Sequence, residues 1–291
     1  MKIYCKSGLN NKELAARTNL VHDGCEIQLL NDFVKNPKST EEYLDEIDGH
    51  ITNIKLIHSP LCTDKNIQLD AINIEDLISS RVTKVFQRVC ELADCIGKEN
   101  KLSIGVILHT GISMFDLNTN KTLDNYLIDL FNKILNLYPN IYLLIENVIP
   151  VTNRDLMYFR NGALPNYIEV IEHFKKVTMY PNKIGGVLDT CHAITTIKMA
   201  QGCGKQLNLT DYFKRPELIN LIHLSDVKNL GLYPKEHGIG FSPDREFMLK
   251  LLLDLYKSND LNCPITIEIA EEDYFDCKNY RHNRELLNKL L

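Results

Sequence analysis

The residues of this chain with the most chemical potential share one placement, because each closes a short apolar run. His58 ends Asn53-Ile54-Lys55-Leu56-Ile57, His109 ends the run from Ser103 to Leu108, and Glu146 ends the run from Ile141 to Ile145. Asp189 ends Gly185-Gly186-Val187-Leu188, His223 follows Leu221-Ile222, and Glu268 follows Ile265-Thr266-Ile267. His192 comes three residues after Asp189, just before a helical pattern. Carboxylates and imidazoles hold divalent cations and serve as acid/base groups near neutral pH. Glu146, Asp189, His223 and Glu268 supply three carboxylates and one imidazole, an oxygen-rich set suited to Mn2+, Mg2+ or Co2+, and to Zn2+ when further imidazoles join. A lone His or Glu at a strand end is ordinary structural polarity. Six such ends around one point would cost several kcal/mol per unpaired charge, and coordination of a shared cation offsets that cost.

Around this set stand residues whose readings stay open. His237, beside Gly238 in Pro234-Lys235-Glu236-His237-Gly238-Ile239-Gly240, reads either as a further metal ligand or as a solvent-facing turn residue. Arg154, Arg160 and Lys228 read as solvated surface, with contact to a substrate phosphate or carboxylate as the alternative. Cys191 lies between Asp189 and His192, but a nucleophilic thiol needs a dedicated base and a lowered pKa, so packing is its expected role.

The elements that must position these residues alternate along the chain. Strands are expected at 2–5, 24–30, 54–58, 102–109, 141–146, 183–189, 219–224 and 264–269. Between them helical spacing or capping signals mark 11–20 (entered through Asn10-Asn11), 43–47, 74–96 closed by Gly97, 123–137, 166–177, 193–200, 244–257 and 280–291. Buried parallel strands read as continuous apolar runs, and a polar residue at the last strand position sits at the C-terminal mouth of a barrel, where barrel enzymes keep their chemistry. The alternation predicts a single (β/α)8 TIM barrel over residues 1–291. A doubly wound open sheet would gather its polar ends at one switch point, whereas these are spread from the third strand to the eighth. The stretch 147–165, directly after Glu146, reads as a long loop and a candidate lid, and 201–214 as a polar excursion.

Composition narrows the function classes. A formal charge of −5 and a pI near 6.0 disfavour a broadly basic nucleic-acid surface. Nine cysteines, several within apolar runs and none in a Cys-x-x-Cys pair, predict reduced thiols and a cytoplasmic setting. No apolar run approaches the ~18 residues of a membrane span, so no membrane partner is expected, and oligomeric state is left open.

In combination, Leu108-His109-Thr110-Gly111, Ile145-Glu146-Asn147, Leu188-Asp189-Thr190-Cys191-His192-Ala193 and Ile222-His223-Leu224-Ser225-Asp226 resemble the xylose isomerase-like barrel superfamily over nearly the whole chain. That superfamily holds sugar isomerases and epimerases together with endonuclease IV-type apurinic nucleases. The resemblance implies that Glu146, Asp189, His223 and Glu268 hold a shared metal. It then implies a leading reading, an isomerase or epimerase with a small polar substrate, and a nuclease as its alternative. As a sugar or polyol isomerase or epimerase, the chain would use Glu146 and Glu268 as acid/base groups on opposite faces of the substrate, with His192 bonding a substrate hydroxyl and a dehydratase as a near neighbour. Cys25-Glu26-Ile27-Gln28-Leu29-Leu30 and Ile57-His58-Ser59-Pro60-Leu61 resemble that branch, and the latter loop lacks an aromatic wedge for a base stack. As a zinc-dependent apurinic-site phosphodiesterase acting on nucleic acid, it would use Glu146 as a bridge, His58 and His109 as added ligands and His192 as a further imidazole. The third zinc of that branch takes an Asp-x-His after the seventh strand, and the segment 234–240 keeps His237 without the Asp. A ligand-binding barrel with a vestigial metal is the non-enzymatic alternative.

Overall fold

Eight apolar runs pair in parallel and close on themselves. In the computed structural model, which describes residues 1–20, 23–62, 70–149, 167–228, 236–242, 245–271, 273 and 275–290, the barrel strands are β1 (Ile3–Gly8), β2 (Cys25–Gln28), β3 (Ile54–His58), β4 (Ile104–His109), β5 (Ile141–Glu146), β6 (Ile184–Asp189), β7 (Ile219–Leu224) and β8 (Ile265–Ile267). They form a closed barrel in which each strand pairs with its sequence neighbours and β1 meets β8, at Ile3–Ile265, Tyr4–Thr266 and Cys5–Ile267. The fold is the expected (β/α)8 TIM barrel. Of the expected features, Arg154, Arg160 and most of the candidate lid fall outside the described residues, as do the side chains of Lys228 and His237.

Alternation along the strands sorts the core into two parts. Residues facing outward, such as Ile57, Val106, Leu143, Leu188 and Ile222, pack against the ring of helices in the main core. Residues facing inward, Tyr4, Leu56, Ile107, Leu144, Val187 and Leu221, form a separate apolar plug inside the barrel. Side chains two residues further along a strand point the same way. The next inward layer above the plug is therefore Lys6, His58, His109, Glu146, Asp189 and His223.

The helices are α1 (Asn11–Thr18), α2 (Asn31–Lys35), α3 (Thr40–Glu46), α4 (Ser80–Asn100), α5 (Met114–Thr119), α6 (Lys121–Leu137), α7 (Tyr167–Val177), α8 (Thr190–Gly202), α9 (Glu246–Ser258) and α10 (Lys278–Leu290). Local chemistry explains their starts: Asn10 caps α1 through Glu13 N, and Ser39 and Glu42 form a reciprocal capping box on α3. Four expectations need correction. The helical stretch from residue 74 is divided, a 3-10 turn at Ile74–Ile78 preceding α4, because Asn73 and Asp76 cap the turn separately. α4 does not end at Gly97 but continues to Asn100, and the chain reverses at Lys101 with φ 53. α8 starts at Thr190, since Asp189 itself is its N-cap. The excursion at 201–214 contains a 3-10 turn, Leu209–Phe213, whose Leu209, Tyr212 and Phe213 are buried. Short helices α2 and α5 carry too few apolar positions to show a period. No helix of the described residues is long and apolar enough to cross a membrane.

Gly97 has a packing role in place of a capping one. A Cβ there would lie 2.8 Å from Asn140 Cβ, from Asn140 O and from Leu102 O, so α4 rests directly on the backbone leading into β4 and β5. Gly97→Ala should therefore destabilise the fold by about 1–3 kcal/mol through overpacking. A lower urea midpoint at unchanged slope is the expected result; wild-type stability would mean that α4 can lift off this contact freely.

Candidate metal centre

Glu146 occupies the centre of the barrel mouth, with imidazoles on every side. Its Oε2 lies 3.2 Å from His58 Nε2 and 3.3 Å from His223 Nδ1; its Oε1 lies 3.3 Å from His192 Nδ1 and 3.8 Å from His109 Nε2. The rings lean on one another, His58 edge-on to His109 at 5.4 Å between centroids and His109 edge-on to His192 at 5.7 Å. Glu146 is 1% exposed, and Asp189 and His223 are fully buried. Glu268 is the open member, its side chain 20% exposed.

Outer partners orient the inner nitrogens. His223 Nε2 lies 2.9 Å from Glu26 Oε2, and a carboxylate accepts, so that nitrogen carries the proton and Nδ1 turns inward. His58 Nδ1 donates to Ser59 O at 3.0 Å, which leaves Nε2 facing Glu146. Where the rings are neutral those inward nitrogens are lone pairs aimed at carboxylate oxygens, an arrangement that a shared cation relieves by taking the place of a proton. His223 Nδ1 and Glu268 Oε2 carry the point: they lie 2.8 Å apart, both are buried, and neither has a hydrogen-bond partner of sound geometry. Donors bonded to one ion at about 2.0–2.2 Å stand roughly 3 Å from each other. The residues present fit a divalent cation.

Two overlapping donor groups emerge. Glu146, Asp189, His223 and Glu268 each offer an atom within 4.8 Å of all the others, and so do His58, Glu146 and His223. His109 belongs to neither group, and its Nε2 lies 3.8 Å from Glu146 Oε1. His192 Nδ1 lies 2.7 Å from Asn147 O, to which it donates. Of the sequence candidates, His58, His109, Glu146, Asp189, His192, His223 and Glu268 all stand at this mouth; His237 contributes a backbone position on the strand Glu236–Ile239, and its side chain lies outside the described residues.

Asp189 connects the centre to the scaffold. Its Oδ1 accepts the His192 amide at 2.6 Å as the cap of α8, and Asn147 brackets its backbone, accepting from Asp189 N at 2.7 Å and donating to Asp189 O at 3.0 Å. Cys191 is buried against Ile194 and Val227, and burial pushes its thiol pKa up, as suits a packing residue.

Two functional-layer residues escaped the sequence reading. Lys6, within β1, contacts Glu268 Oε1 and lies 3.4 Å from Glu26 Oε1; Glu26 is fully buried and also accepts from Thr266 Oγ1 at 3.0 Å. A signal existed for Glu26, since a carboxylate in mid-strand of a barrel buried on both faces can only face its interior.

Charge is shared across the layer. Burial opposes ionisation of Glu146, but His223 above all, with His192 and His58 beside it, holds its pKa well below the usual carboxylate range. Burial likewise opposes charge on His223, yet Glu26, Glu146 and Glu268 carry its pKa well above the ordinary imidazole value. The same balance lifts His192 to about 9, burial being outweighed by Asp189 and Glu146. His109 goes the other way: burial lowers it to about 3 despite Glu146, so its ring is neutral at neutral pH and ready to donate a lone pair.

No protein-family model and no curated protein sequence matches the chain. Solved structures do. The IOLI protein with a bound zinc atom aligns at a TM-score of 0.57 with 14% identity, covering 100% of this chain and 96% of that one. A D-tagatose 3-epimerase-like protein aligns at 0.58 with 15% identity over 99% of both chains. A xylose isomerase domain protein from Alicyclobacillus acidocaldarius aligns at 0.55 with 13% identity, over 99% of this chain and 98% of that one. At such identities the likeness speaks for architecture, and it spans the barrel from end to end: the chain has the fold of the xylose isomerase-like TIM barrels.

Proposed function

We propose that the chain is a divalent-metal-dependent phosphodiesterase that cleaves the backbone of nucleic acid at damaged, base-lacking positions. The observation that carries this reading is the crowding of four imidazoles around Glu146, with two donor groups that share Glu146 and His223. Glu146, Asp189, His223 and Glu268 would suffice for one ion; His58 and His109, 3.2 and 3.8 Å from Glu146, stand outside that set, where a second ion would use them. Divalent ions held there would neutralise phosphate charge and make a water nucleophilic at neutral pH.

The chain's own residues prepare the rest. Glu146 presents both oxygens, one to each side of the mouth, which suits a bridging ligand. His109, neutral because burial disfavours its charge, keeps a lone pair at the rim. The plug of Tyr4, Leu56, Ile107, Leu144, Val187 and Leu221 excludes water from below, so the reacting group is approached from the open side alone. Glu268 is on that side, fixed at Oε1 by Lys6, and is placed to accept or return a proton.

A second reading, isomerisation or epimerisation of a sugar or polyol, draws on a different observation. A cavity of about 420 Å3 opens beside Glu268, lined also by Lys6, Ser7, Glu13, Gln28 and Ala270, a size that suits a small polar substrate. Under that reading Glu146 must exchange protons with substrate while 1% exposed and held by imidazoles, which is why the hydrolytic reading is preferred.

Metal content separates the two. Zinc-loaded protein should hold more than one ion per chain, and His58→Ala or His109→Ala should lower that number; a single ion retained in both variants favours the isomerase. Asp189→Asn keeps the α8 cap but withdraws a charged donor, so melting behaviour should persist while metal affinity falls, measured by chelator competition. Glu268→Gln should slow nicking of abasic-site duplex DNA by ~10² to 10⁴. If wild type leaves that DNA intact, yet exchanges the α-hydrogen of a ketose or inosose with deuterated solvent, the hydrolytic reading is wrong.

A further inference from the structure

Lys6 and Glu26 take no part in the donor set, yet both are built into its wall. β1 and β2 pair with Lys6 opposite Glu26, and β8 pairs with β7 with Thr266 opposite His223, so four adjacent strands bring these groups to one level. The contacts close a ring. Lys6 Nζ meets Glu26 Oε1 at 3.4 Å, Glu26 Oε2 meets His223 Nε2 at 2.9 Å, His223 Nδ1 meets Glu268 Oε2 at 2.8 Å, and Glu268 Oε1 returns to Lys6 Nζ.

Each carboxylate in the ring is divided between two duties. Glu268 gives Oε1 to the ammonium and so presents only Oε2 to the centre. Glu26 gives one oxygen to Lys6 and uses the other to hold the Nε2 proton of His223, which determines the nitrogen that His223 turns inward. Without the ammonium, the fully buried Glu26 and the partly open Glu268 would be left as like charges joined by His223 alone, and Oε1 of each would be free to turn toward the other donors.

We propose that Lys6 is a positioning residue for the half of the donor set carried by β7 and β8: it sets Glu268 directly and His223 through Glu26. The inference rests on the reading of Glu146, Asp189, His223 and Glu268 as cation donors. Asp189 and the side of Glu146 that meets His58 and His192 have other supports, Asn147, Ser59 and the α8 amide, so removal of the ammonium should distort one side of the centre and leave the other standing.

The test is a Co2+ and Zn2+ titration of the full chain as wild type, Lys6→Met and Lys6→Arg, with far-UV circular dichroism on each. Lys6→Met, of similar length without charge, should keep the fold and bind Co2+ about 10- to 100-fold more weakly, with a changed visible absorption band that reports altered coordination. Lys6→Arg should recover part of the affinity, which a role in packing volume alone would not produce. Wild-type affinity and an unchanged band in folded Lys6→Met overturn the proposal. Should Lys6→Met fail to fold, Glu26→Gln replaces it, since the amide keeps an acceptor for His223 and removes the charge that Lys6 faces; the same weakening is expected, and wild-type affinity there again overturns it. A wild-type chain that takes up neither ion removes the donor reading itself, a result distinct from a Lys6 variant that matches wild type.

Discussion

Burying the charge of Glu146 is the constraint to which the rest of the barrel mouth answers. A carboxylate 1% exposed in the middle of a barrel has no water to solvate it, and it stays ionised only because imidazole nitrogens crowd both of its oxygens. Those imidazoles need anchors of their own, which Ser59 O, Asn147 O and Glu26 provide. Glu26 in turn needs Lys6. The polar layer is thus a chain of compensations that begins at one residue and ends at the backbone. Removal of a single partner leaves a buried charge, which is more costly than never having placed it there.

The layer exists because strand pleating repeats every two residues. Each plug residue predicts a mouth residue two positions on: Leu56 and His58, Ile107 and His109, Leu144 and Glu146, Val187 and Asp189, Leu221 and His223. The apolar plug does more than fill space, since it gives the donors a dry floor. Below them there is no solvent to compete for lone pairs, so electrostatic interactions in the layer are stronger than at a surface.

This arithmetic also explains what could be read from the chain and what could not. All eight strands and nearly all the mouth residues were legible because a buried strand is a continuous apolar run, and its last residue stands out when it is His, Asp or Glu. Lys6 was not, because the run at Lys2–Cys5 is short and a lysine after it looks like the start of a loop. Glu26 was legible only through the barrel: a single acid within Cys25–Gln28 fits a strand with one wet face until closure denies it that face. A glycine late in a helix is equally compatible with a stop and with close packing, and the Asn140 backbone that decides between the two for Gly97 is not local in sequence. Asp189 was seen as a donor but not as a helix cap, although one carboxylate has oxygens enough for both.

The pairing of Lys6 with Glu268 spans 262 positions of sequence and lies across the seam where the first strand meets the last. That seam is held by three register pairs, as few as at any pairing in the ring. Lys6 ties it from one side and Glu268 from the other, so the bond that shapes the centre is also the latch of the cylinder. Closure of the barrel and the shape of the centre are then coupled: a barrel that gapes at β1 and β8 would part Lys6 from Glu268 and leave Oε1 of that carboxylate without its cation.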